Sequence, residues 1–288
     1  MADLARDRLG RFGVWRRSSD VTPELALGLE ELGYGTLWLG GSPAADLAAV
    51  DDLLDATTSL TLATGIVNIW SSDAHEVAQS FARIDARRPG RFLLGVGAGH
   101  REATREYSSP YETLRSYVDV LRAEGVPAES LVLAALGPRV LRLAAERTAG
   151  AHPYLVPPEH TRRAREIMGS SALLAPEQKV VLEADPERAR AIARPAVQNP
   201  YLGLSNYTNN LRRLGWGDAD LADGGSDVLI DALVAHGPAD RVAARLTEHL
   251  DAGADHVAVQ LLTRDEDELV ETFRVVAGAL RLRPEAGN

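Results

Sequence analysis

Two short stretches hold residues whose types and spacing can do chemistry together: Thr64-Gly65-Ile66-Val67-Asn68 and, one helix further on, residues 91–100, which close as Gly95-Val96-Gly97-Ala98-Gly99-His100. Each is an apolar, strand-like run ending in glycine, small residues and one polar side chain, as a strand must if a flat ligand is to lie against its end. They stand one strand–helix repeat apart. In a sheet or barrel of parallel strands both ends then reach the same rim, the side where ligands bind. We read them as two walls of one site, with His100 at the rim as the side chain able to exchange a proton near neutral pH.

A third stretch, Ala134-Ala135-Leu136-Gly137-Pro138-Arg139, fits the end of a strand and the start of a helix. Free backbone N–H groups at a helix start attract anions, proline there removes a donor that would lack a partner, and Arg139 adds fixed charge. This is the pattern of a phosphate cradle, although an ordinary turn before a proline-started helix has the same residues. The glycines of the second wall would likewise serve a plain tight turn; their place past a strand end favours a ligand. A dinucleotide fingerprint fails in both frames, because its third glycine would fall on His100 or Glu102. The seven histidines form no metal-ligand pattern, no G-x-S-x-G elbow occurs, and the absence of cysteine removes thiolate chemistry.

A net charge of -10 and a pI near 5.2 repel a phosphate backbone, so nucleic acid is not an expected partner. Lys179 is the only lysine, so a charged phosphate clamp must be built from arginine. No apolar run approaches the ~20 residues of a membrane span, and Asp3, Arg6, Asp7 and Arg8 interrupt any leader pattern. A cytoplasmic protein with no membrane partner is expected.

The elements that must position these residues alternate almost without filler. Strands are read at 9–15, 36–39, 60–68, 92–96, 131–136, 151–156, 178–182 and 256–262, each followed by a helical pattern, several opening on proline. Eight parallel units favour closure into an α/β, (β/α)8 TIM barrel, and 288 residues suit one domain of that kind over 1–288. The departure is 201–236, a helical excursion between strands seven and eight with Tyr201, Tyr207, Asn209, Asn210 and Trp216. It reads equally as a lid over the barrel mouth or as an elaborated helix layer.

The chain resembles the luciferase-like monooxygenase superfamily, and within it the branch dependent on the deazaflavin coenzyme F-420. The resemblance is carried by Gly13-Val14-Trp15, Leu32-Gly33-Tyr34, Leu62 to Asn68, Gly90 to Gly99, Ala134 to Arg139, Ala151-His152-Pro153-Tyr154 and Leu250 to His256, in that order and spacing. It implies a barrel, usually dimeric, that holds a deazaflavin or flavin at its C-terminal rim. The ring is then backed by a bulge with a cis bond between Gly65 and Ile66, and the phosphate lies near the start of the fifth helix. On that basis the cofactor-binding set is Trp15, Gly65, Ile66, Val67, Asn68, Gly97, Ala98, Gly99, His100, Ala134, Ala135, Leu136, Gly137, Pro138, Arg139, His152 and Tyr154. Such a protein passes a hydride between coenzyme F-420 and a small organic substrate. FMN as cofactor and a non-catalytic deazaflavin-binding barrel stay open beside it. Many relatives carry a histidine or glutamate at the end of strand two, whereas this chain reads Gly40-Gly41. Another group must supply the proton, with His100 the expected catalytic residue, or the reaction needs none.

Overall fold

A computed structural model describes residues 8–99, 109–263 and 268–283. The strands are β1 (Phe12–Arg17), β2 (Thr36–Gly40), β3 (Thr61–Thr64), β4 (Val67–Asn68), β5 (Phe92–Gly97), β6 (Leu131–Leu133), β7 (Gly150–Ala151), β8 (Leu173–Leu174), β9 (Glu177–Val181), β10 (Val234–His236) and β11 (Val257–Leu261). All pair in parallel, in the order β10-β9-β11-β1-β2-β3-β5-β6-β7-β8, with β4 on β5. β3 and β4 are one strand interrupted at Gly65-Ile66, whose peptide bond is cis. β8 and β9 are one extended run interrupted at Ala175-Pro176, and this run closes the ring. Ala175 N donates to Ala151 O (2.9 Å) and Glu177 N to Pro153 O (2.8 Å) on one side, while Leu174 O and Pro176 O accept from Asp255 N and Ala258 N (both 2.9 Å) on the other. The result is the eight-stranded α/β barrel, with β10 added on the edge of β9 that faces away from β11.

The helices are α1 (Pro23–Glu31), α2 (Ala48–Ala56), α3 (Ala74–Arg87), α4 (Pro110–Ala123), α5 (Pro138–Arg147), α6 (Pro158–Met168), α7 (Pro186–Gln198), α8 (Ser205–Arg213), α9 (Asp218–Leu221), α10 (Asp227–Leu233), α11 (Ala239–Asp251) and α12 (Leu269–Leu280). Proline opens α1, α4, α5, α6 and α7, where its missing N–H costs nothing. Among the described residues no helix is long and apolar enough to cross a membrane.

Several boundaries differ from the sequence reading for local reasons. The first strand pairs from Phe12 and not from residue 9, because Gly10 turns the chain at φ +65°. Strand six pairs only over Gly150–Ala151, since Pro153 has no N–H to give and Leu155 adopts φ +53°. β10 lies inside the excursion expected to be helical: Val234 and Ala235 are apolar and bury against β9.

Period-2 alternation sorts the strand side chains into two cores. Val14, Leu37, Leu62, Leu94, Val96, Leu133, Val257 and Val259 face the helices. Trp15, Trp38, Ala63, Leu93, Val132, Ala175 and Ala258 fill the barrel interior. The excursion has an apolar cluster of its own, in which Ala193, Val197, Leu204, Tyr207, Leu211 and Ile230 pack with Val181 and Val234.

Candidate functional site

Above the apolar layer of the barrel, at the C-terminal strand ends, a cavity of about 610 Å³ opens under the excursion. Its first wall is Gly65-Ile66 with Asn68. Trp15 Nε1 donates to Gly65 O (3.1 Å), and a Cβ at residue 65 would lie 2.8 Å from Trp15 Nε1 and 3.0 Å from His152 Nε2. Only glycine fits there. Asn68 is braced by Trp70, whose backbone N–H donates to Asn68 Oδ1 (3.0 Å) and whose indole Nε1 donates to Ala98 O (2.7 Å), so the two walls are tied together. A Cβ at Gly97 would fall 2.7 Å from Ala134 Cβ and 3.1 Å from Ile66 Cγ1, which keeps the second wall flat and close.

Of the residues singled out from sequence, Trp15, Gly65, Ile66, Asn68, Ala98, Gly99, Ala134, Ala135, Leu136, Gly137, His152 and Tyr154 line the cavity. Val67 is fully buried behind the wall, Gly97 stands between Ile66 and Ala134, and Pro138 starts α5. Arg139 does not line the cavity; its side chain is 70% exposed and stacks on Tyr111, 4.1 Å from the ring centroid. The cation at the cradle is Arg213 of α8, whose Nη2 lies 3.6 Å from the point a Gly137 Cβ would occupy. His100 lies outside the described residues.

Gly40 has a physical reason. A Cβ on it would be 1.9 Å from Trp15 Cζ2, so the indole stands in the space where a side chain at the end of β2 would go. Two buried polar features stand at the cavity, a histidine that accepts and a cluster reached through Tyr154. His152 is 1% exposed and stacks on Trp38 with centroids 4.0 Å apart and 6° between planes. Its Nδ1–H donates to Ala175 O (2.7 Å), which leaves the lone pair on Nε2, and Nε2 has no partner among the described residues. Burial pushes its pKa down to about 4, the Ala175 hydrogen bond opposing, so at neutral pH it is an uncharged acceptor beside Gly65.

The polar cluster centres on Lys179, which is 1% exposed. Its ammonium nitrogen lies 3.2 Å from Glu177 Oε1, 2.7 Å from Tyr154 Oη and 2.9 Å from Gln260 Oε1. Tyr154 also donates to Gln260 Oε1 (2.8 Å). Burial lowers the lysine pKa and raises that of Glu177, and each opposes the shift in its partner. An aromatic ladder continues to the roof, with centroid spacings of 5.3 Å for Trp15–Tyr154, 5.3 Å for Tyr154–Tyr201 and 4.9 Å for Tyr201–Tyr207. Tyr201, Tyr207, Asn206 and Arg213 line the cavity from the excursion, which thus roofs it.

Sequence reasoning assigned no role to Arg213, Glu177 or Gln260 and noted Lys179 only as the sole lysine. One signal was present: Glu177 and Lys179 stand at i and i+2 on a strand buried on both sides, where a polar pair on one face needs a partner. Among the described residues no cluster of three or more His, Asp or Glu could hold a metal ion.

Solved structures of the same fold include an F-420-dependent secondary alcohol dehydrogenase in complex with an F-420–acetone adduct. That protein is 17% identical, with a TM-score of 0.71 over 94% of this chain and 99% of the other. EDTA monooxygenase from Chelativorans sp. BNC1 is 13% identical, with a TM-score of 0.72 over 97% and 96%. The oxygenating constituent of 3,6-diketocamphane monooxygenase from Pseudomonas putida, in complex with FMN, is 13% identical, with a TM-score of 0.65 over 96% and 99%. At such identities the likeness is one of fold. Comparison with curated proteins finds no sequence match. The family model for luciferase-like monooxygenases matches residues 16–256, which is most of the chain and every cavity-lining residue except Trp15. The chain therefore belongs to the luciferase-like monooxygenase family.

Proposed function

We propose that the protein is an oxidoreductase that binds the deazaflavin coenzyme F-420 in this cavity and passes a hydride between it and a small organic substrate. The observation that carries the reading is the flat slot between Gly65-Ile66 and Ala98-Gly99, which ends at the start of α5 with Arg213 beside it. A planar ring suits the slot, and a phosphate suits the helix start and its guanidinium. The orphaned Nε2 of His152 adds an acceptor for an N–H or O–H of whatever is bound. When bound, the deazaflavin supplies the hydride. The chain's own residues do the rest: the Gly65-Ile66 wall supports one face, Arg213 and the α5 N-terminus hold the phosphate, and the tyrosine roof excludes water.

Two solved relatives, the alcohol dehydrogenase and a tetrahydromethanopterin reductase, are described as coenzyme F-420 dependent, and another is in complex with FMN. The experiment is therefore an equilibrium titration with both cofactors, followed by absorbance. Micromolar or tighter binding of the deazaflavin with weaker FMN is expected. Arg213→Ala should weaken deazaflavin binding by about 10- to 100-fold, since a charge-assisted contact contributes roughly 1.5–3 kcal/mol. Gly137→Leu should weaken it as well, by crowding the helix start. Saturation by FMN alone would make this a flavin enzyme. Binding of the deazaflavin without turnover of any carbonyl or alcohol would make it a carrier.

A further inference from the structure

The proposed hydride transfer leaves a proton unassigned, and this subsection's inference rests on that reading. A carbonyl reduced by hydride needs a proton at oxygen. The end of β2 cannot supply it, because Trp15 fills the space at Gly40. Nor can His152, whose one N–H is committed to Ala175 O and whose Nε2 carries only a lone pair. Among the described residues Ser42, Tyr111 and Ser205 also bring hydroxyls to the cavity, but Tyr201 is the hydroxyl tied through Tyr154 to a buried ammonium. Tyr201 lines the cavity and shares a hydrogen bond with Tyr154, and Tyr154 Oη accepts from Lys179 Nζ at 2.7 Å, with Glu177 3.2 Å beyond.

We propose that Tyr201 is the catalytic acid of this site, and that Tyr154, Lys179 and Glu177 form the relay and store that return its proton, in place of the group absent at Gly40. Substrates are then carbonyl compounds and the matching alcohols. Hydride from the reduced coenzyme forms the new C–H bond, and the carbonyl π pair moves onto oxygen. That oxygen takes the Tyr201 proton, Tyr201 regains one from Tyr154, whose O–H turns from Gln260 Oε1 to reach it, and Tyr154 regains one from the Lys179 ammonium. The coenzyme is oxidised and the carbonyl reduced. The neutral amine left beside Glu177 recovers its proton from solvent after product leaves. Alcohol oxidation runs the same chain in reverse.

The environment of Lys179 suits a store better than a mere structural ion pair. Glu177 on its own strand raises its proton affinity. Burial and Arg17 at the end of β1 lower it, and Tyr154 and Tyr201 face it with neutral hydroxyls and ring faces, 4.0 Å from the Tyr154 centroid and 5.4 Å from that of Tyr201. Gln260, opposite on β11, accepts from both the amine and Tyr154 and holds the two together.

Because Lys179 is the only lysine, 15N-lysine labelling yields one side-chain amine signal, and its titration in the coenzyme-free protein reads the store directly. The expected result is a midpoint below the ordinary lysine value that moves in Tyr154→Phe. An ammonium that persists past pH 10 and ignores Tyr154→Phe would overturn the store. With coenzyme and a carbonyl substrate, Tyr201→Phe should lower turnover by ~100-fold or more while coenzyme affinity is kept. The basic limb of the rate–pH profile should vanish in the double variant Lys179→Met, Glu177→Gln, which leaves no unpaired buried charge to unfold the barrel. Full turnover in Tyr201→Phe, or an unchanged pH profile in the double variant, would overturn the relay. Absence of deazaflavin binding would instead overturn the parent reading of the cavity, which the amine titration does not use.

Discussion

Acidification from pH 7 to pH 4 is expected to unfold this protein, chiefly through four buried histidines. His152, His160 and His256 are pushed by burial from the ordinary 6.5 to about 4, and His249 to about 3. Burial keeps each uncharged, and its hydrogen bonds fix which ring nitrogen carries the proton. His256 Nδ1–H donates to Gly10 O (2.7 Å) while its Nε2 accepts from Trp38 Nε1 (3.0 Å). His249 is fixed between Thr161 Oγ1 and Gln178 Oε1, both at 2.8 Å. His160 Nε2–H donates to Leu136 O (3.0 Å) just before the start of α5. Because the folded values lie below the unfolded one, the unfolded chain binds more protons in this window. The stability these groups contribute is complete above about pH 6.5 and is lost as the pH falls toward 4. Each contributes on the order of 3 kcal/mol, so together they outweigh much of a typical total of roughly 5–15 kcal/mol. Urea unfolding followed by tryptophan fluorescence at half-unit pH steps checks this. A stability that stays flat from pH 7 to 4.5 would sink it.

Restoring a side chain at the end of β2 is expected to damage the protein. A Cβ at Gly40 would stand 1.9 Å from Trp15 Cζ2, 2.4 Å from Cε2 and 2.4 Å from Cη2, so even Gly40→Ala must displace the indole. That indole packs on Tyr154 and donates to Gly65 O, and its displacement disturbs both the first wall and the tyrosine ladder. Overpacking of this kind costs about 1–3 kcal/mol, and deazaflavin affinity should fall with it. Trp15→Phe removes the crowding atoms and loses one hydrogen bond. In the double variant Gly40→Ala, Trp15→Phe, the second change should therefore cost less than it does alone. A double-mutant cycle in urea measures that coupling. Strict additivity would show that the indole and Gly40 do not compete for space.

The alternation of strands and helices was legible along the chain because its causes are local. Proline opens helices wherever its missing N–H is harmless, as at Pro23, Pro138 and Pro186, and runs such as 92–96 have no choice but to be buried strands. The two glycine walls were legible for the same reason: a strand end stripped of side chains can be read from Gly65 or Gly97 without knowing what faces it. The β10 pairing was not, since three apolar residues after a helix become a strand only when β9 offers an open edge.

What the barrel alone decided is which distant side chains meet. Tyr154 and Gln260 are 106 positions apart, and they share Lys179 because strand register sets Gln260 opposite Lys179 while the chain beyond β7 brings Tyr154 over both. Arg213 replaces Arg139 at the cradle because the excursion folds back over α5, whereas Arg139, one residue past the helix start, is turned outward onto Tyr111. The glycine at residue 40 reads as a missing catalytic group in one dimension and as the space for Trp15 in three. Residue types and local periodicity determine which elements form and which ends are open to a ligand. Charge pairing and space filling inside a closed barrel depend on neighbours a hundred residues away, and only their shared interior brings them within reach.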